Sequence, residues 1–231
     1  MTHVFALPGT DCIEPGVAPL ITELSEPITV EHCGAADARR PGLARFVRAV
    51  FRRAYGAEVT TFCPDLLAFR HGPRLRAVVG YRDGLIKPLF SEHYLDSPAE
   101  HLISAGAGRP IDRRHLVEVG NLAPAHPGQT RWLIAATTAY LHAAGYRWVL
   151  FTAATSLVNA FTRLGLRPVP LAPAEPRRLP DAGRAWGRYY ETRPRVFAGD
   201  VHAGMAKLNA AAACSVPRLA ALMQAAAALG A

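Results

Sequence analysis

The sequence predicts an α/β layered domain, and three observations carry that reading. The second half alternates strand and helix in a β-α-β-α-β order, over residues 115–122, 130–144, 146–153, 155–164 and the segment RPVPL. Two apolar runs in the first half, 65–71 and 75–83, flank the turn HGPR and read as a hairpin. Residues 39–55 place Leu43, Phe46, Val47, Val50, Phe51 and Ala54 on one face at helical spacing, backed by arginines.

In chain order, residues 1–35 read as an irregular arm, rich in proline and without periodicity. The main domain is expected over 36–210, and 211–231 as a C-terminal packing helix. Helix 39–55 stops at Gly56. After the hairpin, PLFSEHYL is a short strand or turn, and SPAEHLISAGAG a helix capped by Ser97. The strand 115–122 contains one carboxylate, Glu118, and the next helix begins at Thr130. Gly165 stops helix 155–164. PAEPRRLPDAGR is a proline-rich loop, and WGRYYETRPRVFAGDVHAG is expected to form an extra strand pair. The tail PRLAALMQAAAALGA is an alanine-rich helix whose large apolar groups are Leu219, Leu222, Met223 and Leu229. That is too little apolar area for a lytic helix.

A chain of 231 residues, half of them hydrophobic, can bury a real core. Its net charge of +8, carried mostly by arginine, favours anionic partners: nucleic acid, a membrane face, a nucleotide-bearing cofactor or an acidic carrier protein. RNP motifs, zinc-finger spacing and lysine-rich tracts are missing, which argues against nucleic acid. No apolar run reaches the roughly 18 residues of a membrane helix, and the start lacks the pattern of a secretion signal. A cytoplasmic protein is expected. Cys12, Cys33, Cys63 and Cys214 are scattered without a CxxC pair, so reduced thiols are expected and no metal.

The stretch LVEVGNLAPAHPGQTRWLIAATTAYLHAAG, residues 116–145, holds the densest chemistry. A helix N-terminus carries unpaired N–H groups and about half a positive charge, and so binds anions. Here Gln129, Thr130 and Arg131 surround such a start, and Gly128 allows close backbone approach. A diphosphate or a phosphopantetheine phosphate fits this chemistry. Glu118, on the preceding strand, could accept a proton from an attacking amine. By spacing alone a second reading stands beside this one: Gly128 makes a turn, Thr130 caps a helix and Glu118 pairs with an arginine. Asn159 is either a ligand-facing amide or a satisfied buried one, Arg82 either an ion-pair residue or a carboxylate-orienting one. Trp186, Tyr189 and Tyr190 read as core packing or as acyl-chain lining, and Arg52 and Arg53 as a solvated helix back or a carrier-protein dock.

The residues of 115–168 resemble the acyl-donor half of the GNAT N-acyltransferase superfamily. A more specific resemblance is carried by AYGAEVTTFCPDLLAF, GYRDGLIKPLFSEHYLDSPAEHLI, VEVGNLA with PGQTRWL, WVLFTA, NAFTRLGL and WGRYYETRPRVFAGD, in order over roughly residues 45–208. These are similar to the thermostable hemolysin family, whose domain resembles acyl-homoserine-lactone synthases. The resemblance implies a GNAT-like three-layer α/β/α fold with a mixed, largely antiparallel central sheet. It implies an N-acyltransferase that moves an acyl group from acyl carrier protein or acyl-CoA to a small amine or amino-acid-like acceptor. The phosphopantetheine arm would lie on Leu122, Ala123, Gly128, Gln129, Thr130 and Arg131. Glu118, Arg82, Asn121 and Asn159 would form the catalytic group.

Departures qualify that carry-over. The synthases' ExxR reads Glu118-Val119-Gly120-Asn121, which loses an arginine and argues against S-adenosylmethionine as acceptor. The phosphate loop has one glycine and two prolines, so it is stiffer and poorer in N–H groups. Phe161 stands where the superfamily often has a thiolate-protonating tyrosine, leaving Asn159, Thr155, Tyr189 or Tyr190 as substitutes. The family name keeps a membrane-active hemolysin as a competing expectation, and the absent tyrosine a non-catalytic GNAT-like binding protein.

Overall fold

The computed structural model describes residues 28–214 and 217–231, which build one seven-stranded sheet in the order β1-β2-β3-β4-β5-β7-β6. The strands are β1 (Ile28–Cys33), β2 (Asp65–His71), β3 (Arg74–Asp83), β4 (Leu116–Pro124), β5 (Trp148–Ala153), β6 (Val169–Pro173) and β7 (Arg195–Asp200). Neighbours pair antiparallel throughout, except that β4 and β5 run parallel. Helices α1 (Arg40–Tyr55) and α2 (Ala99–Ala107) cover one face. The other face carries α3 (Thr130–Ala143), α4 (Thr155–Arg163), α5 (Val201–Cys214) and α6 (Pro217–Gly230). This is the α/β layering that the sequence predicts, with the three layers and the mixed, largely antiparallel sheet that the resemblance implies.

Strand alternation sets the layers. On β4, Leu116 joins the core under α2, and Val117 joins the core under α3. Glu118 therefore points to the α1–α2 side. Helix α3 buries residues on nearly every side, Trp132 to Ala136 among them, because it is wedged between the sheet and the helices α5 and α6. Helix α6 buries Leu219, Leu222 and Met223 in the same core, each worth about 1.5–3 kcal/mol.

Three local expectations change. Residues 28–33, expected in the irregular arm, form the edge strand β1; residues 1–27 of that arm lie outside the described residues. The strand was obscured by its six-residue length and by the proline just before it. The expected strand pair at 186–204 is one strand, β7, between the 3-10 turns of Arg184–Thr192 and helix α5. Its first half cannot continue as a strand because Gly187 and Arg193 adopt positive φ and bend the chain. Ser97 does not cap α2. Pro98 holds the cap position, and Glu92 Oε1 accepts from the Ala99 N–H instead.

That glutamate belongs to a buried ionic cluster. Arg113 donates to Glu92 at 2.6 Å, to Glu100 at 2.5 Å and to the Gly84 carbonyl. Burial raises the Glu92 carboxyl, but Arg113 and the N–H groups of Ala99 and Leu89 outweigh it and hold the pKa at about 2, against an ordinary 4.5. The folded value lies below the unfolded one. The cluster's contribution is therefore present above about pH 5 and fades as pH falls toward 2. Thermal unfolding across pH 2–6 should show this loss, and Glu92→Gln should flatten the slope over that window.

Candidate active site

Strands β4 and β5 pair only from Leu116 to Val119 and from Trp148 to Phe151. Beyond that point β4 stays with β3 and β5 with β7, so the sheet splits into a V. A bulge causes the split. Between the pairs Gly80–Gly120 and Val78–Ala123, Val79 faces both Asn121 and Leu122. The extra residue bends and twists β4. Asn121 takes a left-handed φ of 47°, a conformation asparagine tolerates better than most residues. Its side chain locks the bulge: Oδ1 accepts from the Cys63 N–H at 2.8 Å, and Nδ2 donates to the Thr61 carbonyl at 3.4 Å.

A cavity of about 720 Å³ runs through the V. On the α3–α4 side Ile134, Leu141, Val149 and Leu157 line it; on the α1–α2 side Phe51, Phe90, Trp186 and Tyr189 do. Glu118 sits at the junction, 3% exposed. The Phe90 and Ser91 N–H groups donate to its two oxygens at 2.8 and 2.6 Å. Arg82, itself half-buried, lies 4.0 Å away and donates to the Pro88 carbonyl at 3.4 Å. These donors compensate a buried charge that would otherwise be costly. Ser91 Oγ also meets Thr152 Oγ1 at 3.0 Å, tying the Glu118 cradle to the far arm of the V.

At the helix start by the mouth, two residues take roles other than those expected. Gly128, Thr130 and Arg131 line the cavity, as does Leu122. Gln129 does not: it is buried, and its Oε1 turns back to accept from the His126 N–H. The Thr130 hydroxyl donates to the Pro127 carbonyl, which builds the turn that the prolines impose. Ala123 is a correction too. Past the bulge its side chain falls in the core with Leu43 and Val47 of α1, outside the cavity wall. Asn159 is exposed on α4 at the cavity edge. Arg53, expected on a solvated helix back, donates to the Ala125 carbonyl and stands on the rim. Phe161, in the place expected for a tyrosine, stacks on Phe151 at 4.9 Å between ring centroids. His115 and His126 are exposed.

Residues 33–205 match the model of thermostable hemolysin. The chain belongs to the thermostable hemolysin family. No curated protein matches this family member in sequence. Its backbone is similar to FeeM, an N-acyl amino acid synthase from uncultured soil microbes, at 14% identity and TM-score 0.53, over 78% of this chain and 94% of that one. It is similar to the CoA-dependent acyl-homoserine lactone synthase BjaI, solved with SAM and isopentyl-CoA, at 13% identity and TM-score 0.53, over 84% and 98%. The AHL synthase LasI matches at 12% identity and TM-score 0.51, over 77% and 91%. At such identities the likeness is one of fold, an α/β architecture with an open mixed sheet.

Two features of the hemolysin-family site were not legible in its sequence. The donors to Glu118 come from Phe90 and Ser91, separated from it by 28 and 27 positions. Cys63 also lines the cavity, packed so closely under the strands that a Cβ on Gly80 would fall 2.8 Å from its own. Burial, then the charge of Glu118, pushes this thiol up to about 12. It therefore stays protonated near neutral pH and is a poor nucleophile. Among the described residues no group of three or more His, Cys, Asp or Glu could hold a metal, and no helix is long and apolar enough to cross a membrane.

Proposed function

We propose that the protein is a cytoplasmic N-acyltransferase that moves an acyl group from acyl-CoA or acyl carrier protein to the amine of a small acceptor. The observation that carries this reading is the cavity through the V, with a cradled carboxylate at its waist and an arginine-bearing helix start at its mouth. The donor's phosphate sits by Gly128, Thr130 and Arg131, and its pantetheine lies along Leu122. The aliphatic lobe beneath α3 and α4 takes the acyl chain.

The amine meets Glu118 as the free base, an ammonium acceptor having first given one proton to solvent. A C–N bond forms at the thioester carbonyl as the nitrogen's proton passes to Glu118, directly or through water. N–H groups around Asn121 and Leu122 polarise the carbonyl, with Asn159 at the cavity edge on the donor side. The C–S bond then breaks, and the thiolate leaves with the proton that Glu118 took up. The protonated state of Cys63 favours this direct route over a cysteinyl intermediate. Holding both substrates in one cleft supplies much of the rate.

Intact mass spectrometry tests the class. Acylated carrier protein and acyl-CoA are incubated with a panel of amines and amino acids. Deacylation that depends on an acceptor, with appearance of the amide, supports the proposal; acceptor-independent hydrolysis or no reaction with any pair refutes it. Arg131→Ala should raise the KM for the donor about tenfold, the worth of one charge-assisted contact, with kcat little changed.

A further inference from the structure

The α1–α2 lobe of the cavity differs in kind from the aliphatic one. Its walls are aromatic rings from three separate segments: Phe51 and Tyr55 of α1, Phe90 of the turn before α2, and Trp186, Tyr189 and Tyr190 of the turns before β7. They form a continuous chain of edge and tilted contacts. Phe90 lies 5.8 Å from Trp186, Trp186 lies 5.6 Å from Tyr189, and Tyr55 lies 5.1 Å from Tyr189. The hydroxyls of Tyr94 and Tyr190 satisfy one another at 2.6 Å, so the lobe offers ring surface more than free polar groups.

Phe90 links this wall to the charged pair, since its ring heads the chain while its N–H holds Glu118. The pair itself is incomplete. Arg82 and Glu118 stand 4.0 Å apart, beyond a direct hydrogen bond. Arg82 has five N–H donors and, among the described residues, makes one long bond to a carbonyl. Among the described residues each Glu118 oxygen accepts one N–H, which leaves it a second lone pair. A neutral thioester has no use for two adjacent opposite charges. An α-amino acid carries an ammonium and a carboxylate on one carbon, which answers them in reverse order.

Resting on the acyltransferase reading, we propose that the acceptor is an aromatic α-amino acid: its amine on Glu118, its carboxylate on Arg82 and its ring in the aromatic lobe. The test compares L-phenylalanine, L-leucine and phenethylamine as acceptors with one acyl-thioester donor. Calorimetric titration of the same three compounds into the protein without donor runs in parallel. Phenylalanine is expected to exceed leucine at least tenfold in kcat/KM, and phenethylamine by a similar factor, with the same order in binding. Trp186→Leu should bring the phenylalanine-to-leucine ratio toward one, and Arg82→Met the phenylalanine-to-phenethylamine ratio. Should Trp186→Leu fail to fold, Phe51→Leu tests the same wall.

Equal use of leucine, better use of phenethylamine, or a preference expressed for aryl-acyl donors with any acceptor would overturn the inference while leaving acyl transfer intact. Absence of transfer to every amine, with phenylalanine bound no better than leucine, would sink both. Absence of transfer with phenylalanine bound selectively would sink the enzyme and keep the aromatic amino acid as ligand.

Discussion

Glu118→Gln should bind the acyl donor as the parent does and lose turnover about 100-fold or more, the usual range for a positioned general base. Glutamine keeps the shape, but its carbonyl oxygen can accept from only one of the Phe90 and Ser91 N–H groups, and its NH2 faces the other. It also loses the capacity to take a proton, together with the charge facing Arg82. Stopped-assay kcat measured beside equilibrium donor binding separates the two properties. Turnover within a few-fold of the parent would remove Glu118 as the base. Loss of donor binding would mean that the carboxylate holds the cavity open, with no proton-transfer role needed to explain the defect.

Arg113→Met is expected to destabilise the fold by about 3–5 kcal/mol, the cost of removing one partner from a buried ionic group. Arg113 is 8% exposed and holds Glu92 and Glu100 together. Without it two carboxylates face each other in a site that water scarcely reaches. The consequence runs on to the cavity. Glu92 accepts from the Leu89 N–H, so it fixes the turn whose next two N–H groups hold Glu118. Denaturant unfolding should show the stability loss, and activity at a temperature where the variant is folded should fall as well. A variant of unchanged stability would mean that water enters and screens the cluster.

Much of the frame was readable because its signals are local. Strand β2 and the helix α1 follow from apolar spacing over 7 and 16 residues, and the α1 stop from a glycine that takes φ 69°. The position of Glu118 on a strand, and of an arginine-bearing helix start after it, came from a single run of sequence. Helix α5 was missed because its weakly amphipathic, alanine-rich run gives little helical periodicity; among its described side chains Val201 and Leu208 are buried in the core and Met205 packs against it. Ala123 and Gln129 were assigned to the donor because they neighbour the loop. One side chain turned into the core past a bulge, and the other was taken up by the turn's own N–H group.

By itself the sequence determined the α/β order, the carboxylate on the central strand and the electropositive helix that follows it, since periodicity and turn chemistry act over a few residues. Tertiary structure alone decided that the central strands part, that N–H groups nearly thirty positions away cradle the carboxylate, and that rings from three segments wall one lobe. Those are contacts between distant parts of the chain, and no local pattern encodes which distant backbone will meet a given side chain.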